Sequence, residues 1–191
     1  MNLNTKIIAG LSRISEVFKV LLWEQAKNLK LSPIQIQILN FITYHKQELC
    51  NVSYLAKEFN VTKPTISDAI RVLVNKELLI KDFSSEDNRS YTLMLSLKGR
   101  QIVNQTENFA DPIKEQLDKI GEEDLESLYK TLATLIYQLN RSGILDVQRT
   151  CFGCTFYKAD GGRHYCHFLE KELLDSDIRL DCPEYEEARV G

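Results

Sequence analysis

Residues 51–97 read NVSYLAKEFNVTKPTISDAIRVLVNKELLIKDFSSEDNRSYTLMLSL, and the spacing within this stretch decides the fold. Ser53 is placed to cap a short helix whose inward face is Leu55, Ala56 and Phe59. Asn60-Val61-Thr62-Lys63 forms a tight turn ahead of Pro64. Proline suits the first turn of a helix, where its fixed φ fits and its missing N–H costs nothing. In the helix that follows, Ile66, Ile70, Leu73 and Val74 share one face and leave Thr65, Ser67, Asp68 and Arg71 on the other. Two short helices joined in this way are a helix-turn-helix. The extended segments Ile80–Phe83 and Tyr91–Leu95 flank a polar tip running from Ser84 to Arg89, which predicts a β-hairpin, or wing, behind the second helix.

Helices are predicted on both sides of this centre. Ile7, Leu11, Ile14, Phe18 and Leu21 recur at 4-3-4-3 spacing within residues 5–28, a helix with one apolar stripe. Ser32-Pro33 begins a second helix reaching about His45, with Ile34, Ile38, Leu39 and Ile42 inward. Residues 97–120, interrupted near Pro112, and residues 122–142 read as two more, with Leu125, Leu128, Leu132, Leu135 and Leu139 in a 3-4-3-4 repeat and Gly143 as the stop. A winged domain of about 50 residues cannot bury both outer stripes, so the outer helices are expected to meet a second copy of the chain. The expected class is mainly α with a small β wing: a winged helix-turn-helix (about 53–97) with flanking dimerisation helices over residues 1–145, followed by a small metal-binding segment over 146–191.

Charge is divided unevenly. The net charge is −3, yet residues 1–100 carry 14 Lys and Arg against 9 Asp and Glu, whereas residues 101–191 carry 10 against 18. A basic DNA-facing half on an acidic scaffold fits this split, although such asymmetry alone identifies no partner. The longest apolar stretches, such as Val17–Trp23 with Lys19 inside, fall far short of the roughly 20 residues of a membrane helix. MNLNTKIIAGLSR at the N-terminus lacks the apolar core and cleavage site of a secretory signal, so a cytosolic location is expected.

A helix that reads DNA must offer short polar and basic side chains to base edges. Arg71 can bond guanine, Thr65 and Ser67 can meet bases or phosphates, and Asp68 can accept from cytosine or orient a neighbouring cation. Arg89, on the polar tip, is suited to a narrow minor groove, with Asp87 two residues earlier to brace it. On these residues the chain resembles the MarR family of bacterial regulators over residues 5–142, in helix order, in VTKPTISDAIRVLVNKELL (61–79) and in the wing EDNRSYTLMLSLKGR (86–100). The resemblance implies an obligate homodimer on pseudo-palindromic double-stranded operators. Thr65, Ser67 and Arg71 would read the major groove, and Asp87 and Arg89 would form the wing pair. Asn88 stands where the family often has another charged residue, and the first helix lacks the reactive cysteine of the family's peroxide sensors. The family also binds small aromatic anions as effectors. Trp23, Tyr44 and Tyr137 are the aromatic candidates for such a pocket, although aromatics at helical spacing more often belong to a core.

Four of the five cysteines crowd into 32 residues as Cys151-x2-Cys154-x11-Cys166-x15-Cys182, followed by Pro183. In a reducing compartment such a cluster points to metal rather than disulfides. Four thiolates suit a structural zinc ion. An iron–sulfur cluster is the alternative, since Cys-x2-Cys and a final Cys-Pro also occur in such sites and would make the protein a redox or iron sensor. His164 and His167 flank Cys166 and could substitute for one thiolate. The segment, with few large apolar residues beyond Phe152, Phe156, Phe168 and Leu169, has too little core to fold alone. Cys50 reads as an inert small hydrophobe. Catalysis is not expected: there is no Gly-x-Ser-x-Gly, phosphate loop or dinucleotide fingerprint, and only three histidines. An interaction adaptor that stays dimeric and binds no DNA is the remaining alternative.

Overall fold

The computed structural model describes residues 2–84 and 91–188. It divides into two compact units, one of Met1–Leu55 and Thr62–Glu115, the other of Ala56–Val61 and Gln116–Gly191.

In the first unit, α1 (Leu3–Leu29) begins where the Asn2 side chain accepts from the Thr5 N–H at 2.9 Å. It ends at Lys30, whose φ of 53° lies in the left-handed region. Only Leu22 and Ala26 of this helix are buried, and residues 2–20 are exposed throughout. In α2 (Pro33–Tyr44) the Gln35 side chain accepts from the Ser32 N–H at 2.9 Å, and Ile36, Ile38 and Leu39 are fully buried. A single 3-10 turn, Gln47–Leu49, precedes α3 (Val52–Glu58). The cap of α3 is Asn51 rather than Ser53: Asn51 Oδ1 accepts from the Tyr54 N–H at 2.9 Å, while Ser53 is exposed. α4 (Lys63–Asn75) is capped by Thr62, whose hydroxyl accepts from the Thr65 N–H at 3.3 Å. Its buried face is Ile66, Ala69, Ile70 and Leu73; Val74 is only half-buried. Ala69 thus completes a stripe that a reading of large side chains overlooks.

β1 (Leu79–Asp82) and β2 (Thr92–Leu95) pair antiparallel, with Leu79 opposite Leu95 and Asp82 opposite Thr92. α4 packs on α2 and β1, and the core of the unit gathers Ile36, Ile38, Leu39, Leu55, Ile66, Ile70, Leu73 and Leu93. α5 (Leu97–Thr106) starts at Ser96, whose hydroxyl accepts from the Gly99 N–H at 2.9 Å. The break before α6 (Asp111–Leu117) falls over residues 107–110. Pro112 is not the breaker but sits in the first turn of the new helix.

In the second unit, α7 (Glu122–Arg141) carries Glu122, Glu123 and Asp124 in its first turn and Arg141 in its last, which matches charge to the helix dipole. Three strands follow that the sequence pattern did not announce: β3 (Tyr157–Asp160), β4 (Arg163–Cys166) and β5 (Lys171–Leu173), antiparallel in that order. Gly161 and Gly162, at φ of 56° and 84°, make the two-residue loop between β3 and β4, a conformation that glycine adopts without strain. The C-terminal segment does not stand on its own core. Ala133 of α7 joins Cys151, Leu173 and Ile178, with Phe152, Tyr157, Cys166 and Leu180 packed around them. Tyr129 of the same helix donates to the Ile178 carbonyl. Among the described residues, no helix is long and apolar enough to cross a membrane.

Candidate nucleic-acid interface and cysteine cluster

The amphipathic build of α4 leaves Thr65, Ser67, Asp68 and Arg71 exposed, as the spacing predicted. Arg71 Nη2 lies 2.8 Å from Asp68 Oδ1, an i,i+3 pair with both side chains about two-thirds exposed. A pair this open contributes little stability, but it holds the guanidinium over the solvent face of the helix. Thr65 Oγ1 lies 2.9 Å from Thr62 Oγ1, so its hydroxyl is tied to the cap at the start of α4. Lys63, in the first turn, is a further exposed cation that the motif reading passed over. Asp87 and Arg89 lie outside the described residues. At the base of the hairpin, Lys81 Nζ sits 4.3 Å from the centre of the Tyr91 ring.

The aromatic candidates have separate surroundings. Tyr44 is exposed and donates to Glu107 at 3.1 Å, Trp23 lies on an open face of α1 beside Val20 and Lys27, and Tyr137 packs edge-on against Phe152. Cys50 is buried, its thiol pointing at the Lys46 carbonyl at 3.5 Å. Burial pushes its pKa up to about 11. At pH 8 roughly one thiol in a thousand is then ionised. Iodoacetamide is therefore expected to leave the Cys50 peptide unlabelled in native protein and to label it after unfolding. Peptide mass mapping at pH 8 checks this, and labelling at the rate of a free thiol would contradict it.

Cys151 opens a 3-10 turn, Cys151–Gly153, in which the Cys154 N–H returns to the Cys151 carbonyl at 2.9 Å. Cys166 ends β4, and Cys182 begins a turn closed by the Tyr185 N–H at 3.1 Å. All four line one cavity of about 20 Å³, together with Phe156, Tyr157, Phe168 and Leu169. The Arg179 N–H donates to Cys151 Sγ at 3.2 Å, and the Arg179 guanidinium reaches Cys182 Sγ at 3.8 Å. Burial raises the pKa of Cys151; the Arg179 N–H opposes this, and the negative charge on Cys182, Cys166 and Cys154 raises it further. Among the described residues, no three His, Cys, Asp or Glu side chains stand close enough together to hold a metal ion. The histidines are occupied elsewhere. His164 Nδ1 lies 2.5 Å from the Tyr157 hydroxyl and its Nε2 3.1 Å from Asp175, while His167 packs on the Tyr165 ring.

No motif announced Arg149. Its side chain is 9% exposed; Nε meets Asp181 at 2.5 Å and the two Nη atoms grip Glu58 at 2.7 and 3.1 Å. Burial works against the charge, and the hydrogen bonds to Asp181 and Glu58 outweigh it, so the pKa rises above the ordinary arginine value. Glu58 is the last residue of α3 and belongs, with residues 56–61, to the second unit.

A model of the MarR family matches residues 29–90. Comparison with curated proteins gave no sequence match. Among solved structures, the chain is similar to a MarR transcriptional regulator from Methanosarcina mazei Go1 (TM-score 0.62, 17% identity, covering 72% of this chain and 98% of that one). It is also similar to the S. aureus MepR–DNA complex (0.59, 22%, 68% and 95%) and to the transcriptional regulator BldR from Sulfolobus solfataricus (0.53, 24%, 70% and 99%). The helix-turn-helix, the hairpin and their flanking helices therefore have the fold of MarR-type winged-helix proteins.

Proposed function

We propose that the chain is a cytosolic, homodimeric transcriptional regulator that binds double-stranded operator DNA through α4 and the wing, and that it is not an enzyme. The observation that carries this reading is the face of α4, where Thr65, Ser67 and the Asp68–Arg71 pair stand exposed on a helix fixed from behind by Ile66, Ala69, Ile70 and Leu73. The similar fold of MepR, solved bound to DNA, supports it. Asp87 and Arg89 would add the wing contact. A second copy would cover the apolar stripe of α1. A small-molecule effector is a further partner of the kind the resemblance implies. Cys151, Cys154, Cys166 and Cys182 supply a metal site of structural role, zinc in the first place and an iron–sulfur cluster in the second.

Arg71→Ala is expected to weaken binding to a selected operator duplex by about 1–3 kcal/mol and to relax its sequence preference. Titrations of specific and random duplexes at matched salt check this. Equal loss on both would move Arg71 to a phosphate-contacting role, and no loss on either would remove it from the interface.

A further inference from the structure

The DNA reading leaves unused the four cysteines that line one cavity of the second unit. We propose that Cys151, Cys154, Cys166 and Cys182 close on a single zinc ion, and that the closed unit holds the turn between α3 and α4 through Arg149, so that operator binding depends on the metal. The proposal rests on reading the chain as an operator-binding regulator.

Donor chemistry and space select the ion. Four thiolates are soft ligands that favour zinc, copper(I) or iron–sulfur clusters over hard cations. The cavity they line, about 20 Å³, has room for about one water-sized atom, which suits a single ion. Thiolates gathered around one centre repel one another unless a cation sits between them. The N–H of Arg179 on Cys151 Sγ and its guanidinium near Cys182 offset part of the charge that remains on a zinc tetrathiolate. Since no three His, Cys, Asp or Glu side chains among the described residues stand in a metal-holding arrangement as they are, a tetrahedral zinc site would require the sulfurs to move toward one centre, and that movement would give the ion leverage.

Arg149 sits where that leverage acts. It lies two residues before Cys151, and its carbonyl accepts from the Cys182 N–H at 3.1 Å, so ligand-bearing segments adjoin it in sequence and in space. Its guanidinium forks onto Glu58, which ends α3 immediately before the turn into the reading helix. Fixing Cys151 and Cys182 on one ion therefore fixes the backbone of the residue that anchors α3.

The test uses the chain of residues 1–191, a duplex selected by the zinc-loaded protein from a random pool, and zinc or cobalt(II) as the metal probe. Expected are one zinc per chain, cobalt spectra of a tetrahedral thiolate site, and a loss of DNA affinity of about tenfold or more on anaerobic chelation, reversed by zinc. Glu58→Gln, which leaves Arg149 its partner Asp181, should keep the zinc and the helical content yet bind DNA like the zinc-free protein and no longer respond to chelation. Brown protein with iron and sulfide, or four titratable thiols and no metal, overturns the zinc assignment. Equal DNA affinity with and without zinc overturns the coupling alone. Zinc uptake with no duplex bound in either state overturns the regulator reading itself.

Discussion

Gly99→Val is expected to destabilise the first unit by about 3 kcal/mol and to lower its melting temperature by roughly 10 °C. A Cβ at residue 99 would lie 2.2 Å from the Leu78 carbonyl oxygen and 3.2 Å from Leu95 Cδ2. The carbonyl is part of the main chain and cannot swing aside like a side-chain tip. It also accepts from the Ser96 N–H at 3.1 Å, so moving it disturbs the cap of α5 as well. The restriction is one of space, since Gly99 is not among the glycines with positive φ. Gly121→Val is the control: Gly121 precedes α7 with nothing within 4 Å of its would-be Cβ, and the substitution should cost well under half as much. Thermal and urea unfolding of both variants would show the difference, and equal stabilities would remove the close approach from the account.

Replacing Leu11 and Ile14 together by Glu is expected to raise the dissociation constant of the proposed dimer at least a thousandfold, about 4 kcal/mol, giving monomers or unfolded chains. In one copy Ile7, Leu11, Ile14 and Phe18 are 49, 41, 50 and 41% exposed along a single face of α1, although Phe18 meets Phe109 edge-on at 6.4 Å. A stripe of this length left in water favours burial against another surface, and burying each such side chain in full contributes about 1.5–3 kcal/mol. Two carboxylates per copy placed in that stripe must be desolvated or must keep the copies apart. Light scattering at micromolar concentration is the measurement. A wild-type monomer, or a double variant with the mass of a dimer, would contradict the assembly.

The winged unit was legible because its helices carry large apolar residues at helical spacing, and the exposed face of α4 follows from its buried one. Ala69 escaped notice because a methyl group hardly registers in a hydrophobic pattern. The sheet β3–β4–β5 was illegible for a related reason. Tyr157–Asp160 alternates apolar and polar residues over only four positions, three of them exposed, and Arg163–Cys166 does not alternate. Gly161-Gly162 was the one local sign of a hairpin there. The cap at Asn51 was misplaced by two residues because Asn and Ser are both good caps and only the chain direction separates them. The cysteine cluster stood out by spacing, since one residue type recurs four times within 32 residues. Arg149 could not, because an ion pair spanning 91 residues leaves no local signature.

That span bears on the order in which the protein is made. Glu58 leaves the ribosome 91 residues ahead of Arg149, an interval of about 5–18 s at ordinary rates of synthesis. For that time the end of α3 carries a carboxylate whose buried counter-charge does not yet exist, while α4, β1 and β2 are already available to fold. The end of α3 therefore gains this ion-pair partner only when the C-terminal segment has emerged. A growing or truncated chain that already has both helices still lacks the guanidinium that pairs with Glu58.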